Sequence, residues 1–356
     1  MKLEDISALN ITGVVKDTEL YGQGKNLDLS GRVFINVNFE SCDLADINFS
    51  GAAFTQCKFS GCDLSRAILG KTVFNECTFV RSAFTGSLLL TRVTFAKCNL
   101  SYSSWDDLRV TRSTFVDCDF FSASFNGCSF EETSLTNCSY ENACFLKISA
   151  HRLALTDGDM TSAEFAPKQL TKCVLVNLRL VGGHLRGSNL QECTFNGAAL
   201  SQLDLRDAQV KYCHFSNAQL SLTNFRRSEL TGCFFNSAQI NDCCFDYCTL
   251  LGANFELAEV LNSSFDSVDA RQSRYGGTTI KKTTFKGARL VQSDFSNSAW
   301  SESDAKDADV SYCDFYRSDA IEILSRVQKQ TIGTDAENRR SLDEKILSMN
   351  LARMQP

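Results

Sequence analysis

The chain has no run of apolar residues approaching the roughly 18 that a membrane-spanning helix needs. It has no C-x-x-C pair, no glycine-rich phosphate loop and no dinucleotide fingerprint, so the common zinc-ribbon and nucleotide-binding readings lose their starting point. Histidine is scarce, with only His151, His184 and His214. An excess of positive charge is also missing: 36 Lys and Arg stand against 42 Asp and Glu, a net charge of −6. That balance argues against direct nucleic-acid binding driven by bulk positive charge. The first residues, MKLEDISALNITGVV, carry acids and no uninterrupted apolar core, so no cleaved secretory signal is expected.

What is present is a period of five. From Phe95 to Phe315, all 45 positions spaced five apart are apolar, the weakest being Ala150, Ala270 and Ala305. An earlier comb, offset by one residue, runs from Leu29 through Phe34, Phe39, Leu44 and Phe49 to Phe84. Of the 27 phenylalanines, 25 sit on the two combs; Phe121 and Phe234 do not. Two residues before each comb position stands a small residue, as at Cys57, Cys77, Cys118, Ala198, Cys213 and Ala218. A five-residue period suits neither an amphipathic helix nor an open alternating strand. It suits a unit in which two residues of one strand parity point inward and three face water or make a turn.

The stretches CDLAD, CKFSG, CDLSR, ANFEL, CTFNG, SNLQE and SDFSN closely resemble the motif of the pentapeptide-repeat family, roughly A(N/D)LXX. The resemblance covers residues 27–319. It implies an all-β fold: a right-handed, four-sided parallel β-helix (a solenoid) with 20 residues per coil. The 57 comb positions would then make about 14 coils, and strands stacked about 4.8 Å apart would give a rod about 70 Å long. At a spacing of 20, Cys173, Cys193, Cys213 and Cys233 would stack on one face, and Cys98, Cys118 and Cys138 on another. Fifteen of the 17 cysteines occupy the small inward position, Cys144 and Cys244 being the others, so they read as buried thiols in a reducing compartment. The histidines do not join those ladders, and no metal site and no cofactor is expected.

Three segments follow. Residues 1–27 are an N-terminal cap with short strands, 28–319 the repeat helix, and 320–356 a helical C-terminal cap or dimerisation segment. Ala320, Ile321, Leu324 and Val327 recur there at helical spacing, Gly333 interrupts, and Leu342, Ile346 and Leu347 follow. The resemblance implies dimerisation as the alternative, since relatives that bind topoisomerases commonly pair through a C-terminal helix. One residue is inserted between Phe84 and Phe95, at residues 85–94, where a bulge is expected. Residues 146–172 keep register with weaker inward residues, among them Gly158, Met160 and Lys168, and Pro167 cannot donate to a ladder.

Catalysis finds no support. His184 and His214 are 30 residues apart, one and a half coils, and no nucleophile–base pair can be built from that spacing. Charge is segregated instead. Asp242 to Asp269 holds six acids and no base; Arg271, Arg274, Lys281, Lys282, Lys286 and Arg289 follow with no acid among them. At a spacing of 20 these pair, Asp269 with Arg289 and Asp309, Arg274 with Asp294, and Lys282 with Glu302. A second acidic stretch, Asp117, Asp119, Glu131, Glu132 and Glu141, has no base nearby in sequence. Apolar residues at outward positions supply the candidate partner-binding set. Tyr247, Leu251, Leu257 and Leu261 lie within one coil, bordered by Asp246, Glu256 and Glu259.

The expected role is therefore a non-enzymatic rod presenting a regular surface to a protein partner. A bacterial effector acting inside a host cell is one form of it, located in the bacterial cytoplasm or delivered without a cleaved signal peptide. The alternative is a DNA-mimicking protein that binds gyrase or topoisomerase, since the chain resembles the quinolone-resistance members. The family's effectors with an added ligase domain are a third model, but only about 40 residues follow Phe315, too few for such a domain.

Overall fold

A computed structural model describes residues 1–8, 13–40, 42–85 and 89–319. The chain divides into two compact units, residues 1–204 and residues from Leu205 onward. The helices expected within 320–356, and any pairing through them, lie outside the described residues.

In the first unit a four-residue helix, Asp5–Ala8, precedes the ladder. The ladder is parallel from Val14–Glu19 onward, which pairs with Val33–Asn38. Successive strands on that side are Ala53–Thr55, Val73–Asn75, Thr94–Ala96, Thr114–Val116, Ser134–Thr136 and Ala154–Thr156. Partners are 20 residues apart, as in Phe95 with Phe115 and Leu135 with Leu155. One step differs: Phe74 pairs with Phe95, 21 residues on. The inserted residue is thus absorbed locally, and every inward side chain stays on its side. Because of it, Cys57 and Cys77 join the stack of Cys98, Cys118 and Cys138.

The second unit repeats the scheme. Gln219–Ser221, Gln239–Asn241, Glu259–Leu261, Thr279–Lys281 and Ala299–Ser301 form one parallel side, again in register at 20. The expected all-β parallel solenoid, four sides to a coil and about 14 coils in all, is what the chain forms.

Corner chemistry explains why five residues close a side. At Leu250 the carbonyl accepts from the Ala253 amide at 3.0 Å, and Phe255 does the same for Ala258. The residue two after each comb position sits in the left-handed region, with φ of 59° at Tyr247, 60° at Leu257 and 65° at Gly277. A bond from i to i+3 with positive φ at i+2 is the signature of a type II turn. Asn or Asp just before the comb residue reinforces the corner: Asn254 Oδ1 accepts from the Glu256 amide at 2.8 Å, and Asp294 Oδ1 from Ser296 at 2.8 Å.

Inside, the comb residues stack coil on coil. Phe225, Phe245, Phe265 and Phe285 lie with ring centroids 4.7, 4.5 and 4.8 Å apart. The small inward residue has its own task. Where it is polar, it donates to a comb carbonyl of the preceding coil, as Ser273 to Leu250 at 2.6 Å, Thr278 to Phe255 at 2.8 Å and Cys248 to Phe225 at 2.8 Å. A buried hydroxyl or thiol so placed is satisfied rather than orphaned. At Gly158 the position must be empty, because a Cβ would come within 2.8 Å of the Tyr140 ring. Near Pro167 the inward role slips by one: Pro167 is buried, Lys168 swings out to solvent, and the Lys168 and Gln169 amides both donate to Ile148. The ladder resumes at Gln169–Thr171.

Candidate interaction surface

The four apolar candidates in residues 247–261 do not make one patch. Tyr247, Leu251, Leu257 and Leu261 occupy the four successive corners of a single coil. Tyr247 instead packs under the Arg226 guanidinium, 5.1 Å from the ring centroid. Asp246 turns into its own corner, accepting from the Ser264 hydroxyl and from the Asp266 amide. Leu261 and Glu259 belong to the strand Glu259–Leu261, on another side again.

Leu251, Glu256 and Leu257 do bound one common side, and the residues filling that side were not singled out from sequence. Stacked outward along it are His214, Phe234, Asn254, Arg274 and Asp294. His214 lies face to face on Phe234, with centroids 4.6 Å and planes 6° apart. Phe234 is 37% exposed, Tyr212 on the adjoining corner 55% and Leu257 on the far corner 67%. Glycines open the surface around them. A Cβ at Gly232 would meet the Tyr212 ring at 2.6 Å, and one at Gly277 would meet Leu257 at 2.9 Å, so both apolar side chains lie down over glycine. The signal for this side was in the sequence. Phe234 is one of two phenylalanines off the comb, and His214 precedes it by one coil.

Next to the apolar residues lies a polar cluster. Glu256 accepts from Asn254 at 3.2 Å and Asn236 at 3.5 Å, and the Arg274 guanidinium stands 4.0 Å away. An aromatic centre with a hydrogen-bonded polar edge is the composition of a protein-recognition surface.

The segregated charges are reconciled by stacking. Arg271 reaches Asp269 at 2.7 Å, Arg289 reaches Asp269 at 3.5 Å, Lys281 and Lys282 share Glu302, and Lys286 reaches Asp304 at 3.4 Å. The Arg274 backbone pairs with Asp294 as expected, but its guanidinium turns to Glu256. The acidic stretch 117–141 is corrected in the same way. Glu131 pairs with Arg109 at 3.1 Å, and Glu132 bridges Arg112 at 2.8 Å and Arg152 at 3.1 Å. Their bases lie one coil away, 20 to 22 residues distant in sequence.

The thiols of the second unit run counter to nucleophilic chemistry. Burial pushes Cys233, Cys243, Cys248 and Cys313 up to about 12, whereas a reactive cysteine needs the opposite shift. Among the described residues no three His, Cys, Asp or Glu side chains come together as metal ligands. No helix of the described residues is long and apolar enough to cross a membrane.

No curated protein matches the sequence. Among solved structures, the chain is similar to full-length QnrB1, a plasmid-mediated fluoroquinolone resistance protein, at 19% identity and a TM-score of 0.33, covering 63% of this chain and 94% of that one. It is also similar to HetL from Nostoc sp. strain PCC 7120, a pentapeptide-repeat protein involved in heterocyst differentiation regulation. There the identity is 15% and the TM-score 0.24, over 76% of this chain and 86% of that one. A third likeness is to Rfr23 from Cyanothece 51142, at 11% identity and a TM-score of 0.21, over 42% and 91%. At these identities the likeness concerns the fold. The model of pentapeptide repeats matches eight copies, over residues 33–70, 54–89, 113–145, 169–207, 204–238 and 283–319. With more than half of its length matched, and with two inward residues and one left-handed corner in each unit of five, the chain belongs to the pentapeptide-repeat family.

Proposed function

We propose that this protein is a non-enzymatic binding scaffold whose partner is another protein, docked on the side that carries His214 and Phe234. The single observation that carries this reading is the stacked His214–Phe234 pair, held outside a core that buries most other phenylalanines completely. Leaving a large aromatic ring in water forgoes burial of roughly 150–250 Å² of ring surface, which contact with a partner would recover. Tyr212 and Leu257 extend the same side, and Asn236, Asn254, Glu256 and Arg274 supply its polar edge.

The test is affinity capture with the intact protein from bacterial and eukaryotic lysates, followed by titration of the recovered protein against variants. Phe234→Asp is expected to weaken binding by about 30-fold or more, the mark of a hot spot. Leu222→Asp, at an exposed corner elsewhere on the second unit, is expected to leave it unchanged. Equal binding by wild type and Phe234→Asp would remove this side from consideration. Recovery of gyrase or topoisomerase IV subunits would favour the DNA-mimic form of the scaffold; a eukaryotic partner alone would favour a delivered effector.

A further inference from the structure

One corner of the first unit carries cations that the solenoid leaves unanswered. Its rungs are Gly51, Lys71, Arg92, Arg112, Glu132, Arg152, Lys172 and Glu192, one per coil, each amide donating to the coil that follows. From Lys71 to Glu192 these seven rungs hold five cations and two carboxylates, in a chain whose net charge is −6. The two acids are engaged toward one end: Glu132 between Arg112 and Arg152, and Glu192 with Lys172 at 3.6 Å. Among the described residues neither Lys71 nor Arg92 has a carboxylate within ion-pairing distance. The corner is also open there. Gly51 and Gly70 place no side chain in the way, and with Lys71, Thr91, Arg92 and Arg112 they line a groove of about 490 Å³.

We propose that this groove binds a linear oligophosphate, a ligand with two or more linked phosphoryl groups laid along the corner. Three consecutive rungs span about 10 Å, since stacked strands repeat at about 4.8 Å. Arg92 and Arg112 present planar guanidinium donors that match phosphate oxygens, and Lys71 adds a point charge at the third rung. The left-handed backbone, with φ of 61° at Lys71, 58° at Arg92 and 51° at Arg112, projects all three side chains from the same edge. Glycine at the two rungs beside Lys71 lets the ligand approach the backbone.

Isothermal titration of the full chain with sodium tripolyphosphate tests this. Saturable binding is expected, weakened by about tenfold or more in Lys71→Glu and in Arg92→Glu, and unchanged in Lys286→Glu, whose partner Asp304 already neutralises it. Orthophosphate, which spans fewer rungs, is expected to bind more weakly than tripolyphosphate. Circular dichroism confirms that each exposed variant keeps its fold. Absence of saturable binding up to about 1 mM would overturn the proposal, as would equal weakening in Lys286→Glu. So would a single-stranded oligonucleotide that binds this groove more tightly than tripolyphosphate.

Discussion

Tyr275 carries a hydroxyl that the core does not answer, and removing it should stabilise the protein. Its side chain is fully buried, with the ring stacked on Phe255 at 5.1 Å and on Phe295 at 4.7 Å, both within 3° of parallel. Its Oη has no hydrogen-bond partner among the described residues. In the unfolded chain that hydroxyl is hydrated, so folding strips its water without replacement. The cost of such a stranded group is about 1–3 kcal/mol. Tyr275→Phe keeps both stacking contacts and the edge-on contact with Phe285, and leaves a void the size of one oxygen. At about 24 cal/mol per Å³, a void on the order of 10 Å³ costs about 0.2 kcal/mol, a minor offset. The expected net gain is therefore about 1 kcal/mol or more, a rise of about 2 °C or more in the melting midpoint for a chain of this size. The assay is thermal unfolding of wild type and variant under identical conditions. Tyr275→Ala serves as the contrast, losing the ring and dropping by about 3–5 kcal/mol. A fall in the midpoint for Tyr275→Phe would refute the reasoning, because it would mean the hydroxyl contributes more than its desolvation costs.

Two further outcomes follow from the corners and the core. Leu222 holds φ of 54° at an exposed corner, a conformation that costs a branched side chain more than it costs asparagine; Leu222→Asn is expected to stabilise by about 0.5–1 kcal/mol in the same unfolding assay, and destabilisation would contradict the strain assigned to it. Alkaline pH should destabilise the second unit steeply. Cys233, Cys243, Cys248 and Cys313 are raised by burial from 9.0 to about 12, so the folded state holds protons that the unfolded state gives up. Their stabilisation is complete below pH 9 and is lost as pH climbs toward 12, at about 1.4 kcal/mol per pH unit for each thiol. Denaturant titrations between pH 7 and 11 read this slope; if Cys243→Ala and Cys248→Ala leave it unchanged, the thiols are not its source.

Much of this was legible because the period of the sequence is the period of the structure. The comb at Phe225, Phe245 and Phe265 states which side chain points inward, and a spacing of 20 states which ones stack. Even the inserted residue before Phe95 was visible as a phase slip, and the ladder answers it with a single offset of 21. What sequence order concealed was the outer surface. Neighbours in a stretch such as Tyr247 to Leu261 are carried around four corners and away from one another. Residues 20 apart, such as His214 and Phe234, or Arg112 and Glu132, are brought into contact instead. Charge runs that look unbalanced in sequence therefore close into pairs across coils, as Glu131 does with Arg109.

The same rule sets what this architecture can offer a ligand. Inward residues are committed to stacking and to satisfying one another, down to the Ser273 and Thr278 hydroxyls that reach back a coil. Function is left to the three outward positions of each unit, and each such column can change chemistry at any coil without disturbing its neighbours' backbone. A column that breaks its own pairing pattern is thus the feature to look for. The His214–Phe234 column breaks it with aromatic surface, and the Lys71–Arg92 column with charge. Both sit beside glycine corners, Gly232 and Gly277 in one case, Gly51 and Gly70 in the other, where the solenoid gives up side-chain volume that a partner could fill.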